Sequence, residues 1–359
     1  MTQNKKLSLS ITILTFVLVA FGIFMVYSAS NIWAEAKFND PYYYLKRQSL
    51  FALLGAIGFF ITTKISSDFL YKHAEKIILA SLILLGLVLI PGLGISRNGS
   101  RSWFGIGPFA LQPSELFKIA IVIYASKYIS NNFDATKKLK GFWLLLIVMV
   151  IGFILIMLQP DFGTAVVILS SLVIMMFITR LPMKYFFILG GLGVALIVGL
   201  IVIAPYRFDR IKSFIDPWSD PLGSGFQIIQ SLYAIGPGAL LGNGLLNSYQ
   251  KHFYLPEPQT DFIYSIIVEE FGLIGGIIVL ILFGLLFVLG FKLAMKQEKE
   301  FNALMITGLL GLIMVQVIIN LGVVVSLIPV TGITLPLISY GGSSLSVCLC
   351  SLGLIVSRK

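Results

Sequence analysis

The densest group of residues able to do chemistry is Tyr254-Leu255-Pro256-Glu257-Pro258-Gln259-Thr260-Asp261-Phe262, followed by Glu269-Glu270 inside an apolar run. Pro256 and Pro258 stiffen the approach, so Thr260 or Asp261 is expected to open a helix. On that helix Glu269 falls about 12 Å further along and within about 80° of the same face. A carboxylate at the position of Asp261 suits proton abstraction or a cation-mediated role, and equally suits a plain helix cap. An acid in lipid costs about 2.5 kcal/mol or more, so Glu269 and Glu270 are expected to face protein or a wet cavity.

Three further groups carry charge where the chain is otherwise apolar. Gln112-Pro113-Ser114-Glu115-Leu116-Phe117-Lys118 places Ser114 to cap a helix and sets Glu115 and Lys118 three residues apart, on one face. That pair is either self-neutralising or presents Lys118 to an anionic group, and spacing leaves both open. Arg97, Arg101 and Trp103 precede it. Arginine forks suit phosphate oxygens and tryptophan suits a sugar face, although an interfacial belt has the same composition. Asp161 in Gln159-Pro160-Asp161-Phe162-Gly163-Thr164 is placed either to cap the next helix or to meet substrate. Arg207 and Arg210 form either a second phosphate clamp or ordinary loop charge, and the sequence prefers neither. Gly341-Gly342-Ser343-Ser344 leads into a final helix whose free N–H groups can hold an anion, and glycine packing explains the same residues.

The elements that position these groups follow from composition. The chain has 359 residues, of which 57% are hydrophobic and only 12% charged. A soluble domain carries about twice that charge, so a soluble globule is excluded. Apolar runs give spans at about 9–29, 48–64, 77–92, 115–130, 142–159, 164–179, 185–204, 262–290, 302–325 and 341–357, a ten-helix, all-α polytopic membrane protein in a single domain, 1–359. Lys5-Lys6 and the run that follows lack a polar cleavage region, so the first span is expected to be retained.

Orientation follows from the positive charges. Of 26 Lys and Arg, 16 fall in loops and tails on the side of the termini and five in the short loops opposite. The positive-inside rule therefore places both termini in the cytoplasm. The net charge of +10 then reports topology and anionic inner-leaflet lipid, with no nucleic-acid partner.

The inside loops are short and contain no phosphate-binding loop, which excludes an ATP-driven pump. Cys348 and Cys350 are expected not to pair, and His73 and His252 lie in different loops without ligand spacing. One long outer connection, about 205–261, holds six of the 14 prolines. Within it Phe226, Ile229, Leu232, Tyr233 and Leu240 recur near helical spacing, predicting an amphipathic helix on the outer membrane surface. Pro329 to Tyr340 is apolar yet broken by proline and glycine, as irregular backbone packed within protein at membrane depth would be.

Taken together these motifs resemble the SEDS proteins of shape, elongation, division and sporulation. The resemblance rests on Gln112-Pro113-Ser114-Glu115, Gln159-Pro160-Asp161, Gly225-Phe226-Gln227 with Gln230-Ser231, Pro256-Glu257 with Thr260-Asp261-Phe262, Glu269-Glu270, and Pro329-Val330-Thr331-Gly332 through Ser339-Tyr340-Gly341-Gly342-Ser343-Ser344. It runs nearly end to end in family order, and the loop Gly223 to Gly236 looks closest to the FtsW/SpoVE branch, less like RodA. Ser326 departs from the Gly or Thr more usual there.

The resemblance implies the SEDS fold and an inverting peptidoglycan glycosyltransferase that polymerises lipid II at the outer face of the membrane, for septum or spore cortex. It implies Asp261 as the catalytic aspartate, acting on the acceptor 4-hydroxyl, and Arg101, Glu115 and Lys118 as sensitive substrate-site residues. Trp103, Asp161, Arg210, Glu257, Glu269 and Ser343 complete the expected substrate site. One base and a stabilised pyrophosphate leaving group suffice for inversion, unlike the carboxylate pair of most glycosidases. A divalent cation, Mg or Mn, is left open and no other cofactor is implied. Expected partners are a class B penicillin-binding protein, lipid II with the growing glycan strand, and other divisome or sporulation membrane proteins. A lipid II flippase and a noncatalytic scaffold are the alternatives.

Overall fold

A computed structural model describes residues 3–97, 100–106, 109–179, 181–203 and 212–357. Its helices are α1 (Gln3–Phe38), α2 (Tyr43–Thr62), α3 (Ser67–Leu87), α4 (Pro113–Asn131), α5 (Trp143–Met157), α6 (Phe162–Ile178), α7 (Met183–Ile203), α8 (Phe226–Ile235), α9 (Ile263–Ala294), α10 (Glu300–Val324) and α11 (Ser343–Val356). Each apolar span expected from the sequence coincides with one of these helices. By length and hydropathy, Gln3–Phe38, Tyr43–Thr62, Leu139–Met157, Ile263–Ala294 and Glu300–Val324 are each sufficient to cross a membrane. The chain is a multi-pass membrane protein. Its outward faces are apolar: Ile57, Phe60, Leu79, Ile154, Phe187 and Ile281 are all at least half exposed, as lipid-facing side chains must be.

The centre of the bundle is α10, with 16 buried residues from Phe301 to Val324. It packs on α4, α6, α9 and α11, while α11 pairs with α2 and α1 lies along α9. Small residues set the closest approaches. A Cβ at Gly22 would stand 2.6 Å from the Ile338 Cα, so α1 can touch the irregular segment after α10 only through glycine.

Three expectations of local structure are corrected. Residues 95–111 do not simply lie at the interface: β1 (Ile95–Arg97), β2 (Ser100–Ile106) and β3 (Phe109–Leu111) form an antiparallel sheet in the order β1-β2-β3. Ser114 does not cap α4. The helix begins at Pro113, whose missing N–H costs nothing there, and Gln112 is the cap. Finally, α8 lays its inner face on protein, where a lipid surface was expected to receive it. Ile228, Ile229, Ser231 and Ala234 are buried against α9 and α10, and the Ser231 hydroxyl donates to the Val324 carbonyl at 2.7 Å, a bond that protein and not lipid can offer.

The helix α9 breaks at Gly272 (φ 67°, ψ −171°) and admits the long loop at the break. Leu273 and Ile274 N–H, which would bond one turn back, donate instead to the carbonyls of Ala239 (2.9 Å) and Leu240 (3.3 Å). The carbonyls so released, Glu269 and Glu270, accept from Asn243 N (2.9 Å) and Gly244 N (3.0 Å). The two N–H groups and two carbonyls that the break takes out of the helix ladder are thus paired with the loop, as a break in an apolar bundle requires. A Cβ at Gly272 would stand 2.3 Å from the Leu240 carbonyl oxygen, at a φ that L residues rarely adopt. Gly272→Ala is expected to destabilise the protein by about 1–3 kcal/mol and to loosen loop 239–251, read by thermal unfolding and by amide exchange of that loop.

Candidate active site

A cavity of about 330 Å3 opens where β2, the start of α4, the α5–α6 turn, α10, the 331–334 segment and the start of α11 converge. Its polar lining groups are carried by Ser100, Trp103, Gln112, Glu115, Asp161, Thr164, Gln316, Thr331, Thr334 and Ser344. The larger cavity, about 830 Å3, is walled by apolar side chains such as Phe177, Phe186 and Phe291 and offers no comparable convergence of polar groups. The polar cavity is the candidate site.

Local sequence explains how each wall is fixed. Gln159 ties β2 to the α5–α6 turn, its carbonyl accepting from the hydroxyls of Ser100 and Ser102 while its Nε2 donates to the Leu85 carbonyl at 3.3 Å. Asp161 caps α6 through Thr164 N (3.1 Å) and accepts from Gln112 Nε2 (2.9 Å), joining α6 to α4. The cap reading of Asp161 thus holds, and the same residue also lines the cavity. Its carboxylate opens on the cavity but is walled by protein elsewhere, and that burial pushes its pKa above the usual carboxylate value.

A raised folded pKa means that the native state binds the proton more tightly than the unfolded chain. The contribution of Asp161 to stability is then fully present below the unfolded carboxylate value and lost as pH rises through the folded one. Asp161→Asn keeps a capping oxygen without the charge, so the difference in stability between native protein and variant is expected to grow in the variant's favour as pH rises through that window. Asp161→Ala also removes the charge but loses the cap, so it is expected to lie about 1 kcal/mol below Asp161→Asn at every pH. Thermal unfolding across pH reads both.

Glu115 and Lys118 are both buried and form an ion pair at 2.8 Å, with side chains 7% and 6% exposed. Glu115 also lines the cavity, so the pair is self-neutralising and still borders the site. Trp103 lines the cavity as expected. Arg101 is turned away: its guanidinium donates to the Leu89 carbonyl (3.4 Å) and the Ser96 hydroxyl (3.5 Å), both long. Arg210, and Arg207 with it, lie outside the described residues. Ser343 is the first residue of α11, adjacent to the lining Ser344.

Asp261 stands one residue before the cap of α9, part-exposed, its Oδ1 accepting from the Thr260 hydroxyl at 2.9 Å. Glu257 is exposed and contributes through its backbone, its carbonyl accepting from Thr260 N (3.0 Å) and Thr260 Oγ1 (2.7 Å) to close the turn before Asp261. Glu269 is buried and committed to the loop, accepting from Ser248 Oγ (2.5 Å), Tyr249 N (2.7 Å) and Gln250 N (3.3 Å). Among the described residues no three His, Cys, Asp or Glu side chains come together as a metal site.

Sequence reasoning did not single out Asn320 or Gln316. Asn320 is fully buried on α10, and its Nδ2 donates to the Asp261 carbonyl (2.7 Å) and to the Ile333 carbonyl (2.8 Å). One amide therefore clasps the segment bearing Asp261 to the segment lining the cavity. Tyr340 N donates to the Gln259 carbonyl at 2.8 Å and adds a second tie between the same two stretches. The available signal was two amides four residues apart, one helical turn, in an otherwise apolar run.

An apolar helical bundle that closes around a small polar cavity, with an aspartate pinned beside its lining loop, defines a polytopic membrane protein with a buried polar site. The chain belongs to the FtsW/RodA/SpoVE family, whose model, described as a cell cycle protein, matches residues 8–359. It is 45% identical over 357 residues to stage V sporulation protein E of Bacillus subtilis, covering 99% of this chain and 98% of that protein. It is 42% identical to a probable peptidoglycan glycosyltransferase FtsW of Nitrosococcus halophilus, over 94% of this chain and 88% of that one. Among solved structures it superposes on a chain of a peptidoglycan synthase complex described as coordinating polymerization and crosslinking, with TM-score 0.79, 34% identity, and 97% and 96% coverage. The rod shape determining protein RodA of Thermus thermophilus matches with TM-score 0.70, 31% identity, and 97% and 94% coverage.

Proposed function

We propose that this protein is a peptidoglycan glycosyltransferase that polymerises lipid II into glycan strands at the outer face of the cytoplasmic membrane, in division or sporulation. The observation that carries this reading is the clasp of Asn320, which holds the Asp261 segment against the lining of a polar cavity in a chain 42% identical to a probable peptidoglycan glycosyltransferase. All ten apolar helices cross the membrane, both termini are cytoplasmic, and the cavity and Asp261 face outside, in keeping with the bias of Lys and Arg.

In this reaction the acceptor 4-hydroxyl attacks the anomeric carbon of the lipid-linked donor, its proton passes to the Asp261 carboxylate, and the pyrophosphate–carbon bond breaks with inversion. Asp261 is part-exposed, which leaves it reachable by an acceptor hydroxyl. Arg101 offsets charge on the departing pyrophosphate; its two long hydrogen bonds are weak competitors for a bidentate phosphate contact. Trp103, Asp161 and Glu115 line the donor site. A class B penicillin-binding protein is the partner, consistent with the synthase complex to which the chain is structurally similar.

A flippase reading draws less support. It needs span charges that line a hydrophilic route, whereas Glu115 with Lys118 and Glu270 with Lys251 are paired inside protein. The test is polymerisation of purified lipid II by the purified chain with its cognate transpeptidase. Glycan polymer is the expected result, and headgroup crossing in vesicles without polymer would overturn the reading.

A further inference from the structure

The loop that enters the break in α9 builds a second cavity, separate from the first. It has a volume of about 340 Å3 and is lined by Asn243, Leu246, Asn247, Ser248, Tyr249 and His252. That volume falls within the range of small-ligand sites, about 300–1,000 Å3. We propose that this cup is a saccharide-binding subsite for the growing glycan strand, remote in sequence from the residues that line the candidate active site. The identity of the strand rests on the polymerase reading above; the saccharide chemistry rests on the cup itself.

The first argument is rigidity. The floor of the cup is fixed from beneath by one buried carboxylate, Glu269, which accepts from Ser248 Oγ, Tyr249 N and Gln250 N. Its wall is fixed by backbone exchange with the broken turn of α9, through Asn243 N and Gly244 N. Lys251, next along the chain, is pinned by Glu270. A surface loop held by two acids and a helix break is pre-organised, and binding a ligand to it orders little that is not already ordered.

The second argument is chemistry. No Lys, Arg, Asp or Glu side chain is among the residues that line the cup, because Lys251 is turned inward with its side chain 2% exposed. Of the lining side chains only the His252 imidazole can carry a positive charge, so a phosphate or a peptide carboxylate would find no Lys or Arg to pair with. Two carboxamides offer donors and acceptors side by side, the pattern that matches neighbouring sugar hydroxyls and an acetamido group. Asn247 is exposed and spends one N–H on the Asn243 carbonyl at 3.3 Å, which orients its carboxamide at the cup. Tyr249, 70% exposed at the rim, supplies an aromatic face for the apolar side of a sugar ring.

The experiment uses the full-length protein in nanodiscs and chitotetraose, an uncharged N-acetylglucosamine oligomer, as probe. Saturable binding is expected, weakened about fivefold or more by Tyr249→Ala and by Asn247→Ala. Both side chains are exposed, so neither substitution threatens folding. In polymerisation assays the same variants are expected to give strands shortened severalfold, because a strand held less firmly leaves sooner. Asp261→Asn is expected to bind chitotetraose as the native protein does, which separates the cup from the catalytic aspartate. No binding by the native protein, or binding and strand length unchanged in both variants, would overturn the proposal. Native binding to chitotetraose with no polymer from lipid II would leave the cup standing and sink the polymerase reading instead. Loss of transpeptidase association in the variants, with chitotetraose binding intact, would make the cup a protein contact and overturn the proposal.

Discussion

Asp261→Asn is expected to reduce glycan polymerisation by about 100-fold or more while leaving the melting temperature almost unchanged. The two halves of this expectation come from different atoms of one residue. The backbone carbonyl of Asp261 is structural, since Asn320 grips it, and a side-chain substitution leaves that carbonyl in place. The carboxylate is part-exposed and accepts from Thr260, a contact that an asparagine oxygen can reproduce. What asparagine cannot do is take a proton, so only the chemistry is lost. Polymer yield from lipid II at matched folded yield reads the first half and thermal unfolding the second. Equal polymer from both proteins would remove Asp261 from catalysis and turn attention to Glu115, which lines the cavity. A large fall in melting temperature would mean that the carboxylate acts mainly in packing, as the helix-cap reading has it. That result would not fit the structure, in which α9 begins only at Ile263 and its cap is Phe262.

Much of this architecture was legible because lipid imposes a simple rule. Backbone polar groups must be satisfied within the span, so apolar length alone reads as helix, and the expected spans fall on the observed ones to within a few residues at most ends. The site was legible in part, for a related reason. Charged and polar groups in an apolar chain are costly unless used, so Glu115, Lys118, Asp161 and Asp261 stood out. The direction in which a side chain points was not legible. Arg101 and Trp103 sit two apart in one motif, yet Trp103 lines the cavity while the Arg101 guanidinium bonds back to Leu89 and Ser96. Both stand on the seven-residue strand β2, where alternation would put residues two apart on one face, so strand periodicity does not tell which of the two lines the cavity. Asn320 was invisible for the opposite reason. A single buried amide in a helix is common, and its importance lies wholly in the two carbonyls that the fold brings to it, 59 residues before it and 13 after.

Lys251 shows the same limit most sharply, and its replacement is the second large effect. In the sequence it is one more basic residue of an outer loop. In the structure its side chain is 2% exposed, and its ammonium meets the Glu270 carboxylate at 3.4 Å and the Leu246 carbonyl at 2.6 Å. Glu270 is completed by the Ser28 hydroxyl of α1, at 2.7 Å from both carboxylate oxygens. A buried pair of this kind adds little net stability over apolar residues of the same shape, but removal of one partner leaves the other charge without compensation, at about 3–5 kcal/mol. Lys251→Met is therefore expected to lower the unfolding free energy by about that amount, whereas Lys251→Met combined with Glu270→Gln, which removes both charges, is expected to recover most of the loss. The double-mutant cycle is the measurement. Simple additivity of the two single effects would mean that the residues do not communicate and that the loop is held by the Glu269 contacts and the backbone exchange at Gly272 alone. Strong coupling would make the ion pair the lock that seats the loop, and it would explain why a chain otherwise sparing of charge keeps two adjacent acids inside the apolar helix α9. Glu269 holds the residues on one side of Lys251, and Glu270 holds Lys251 itself.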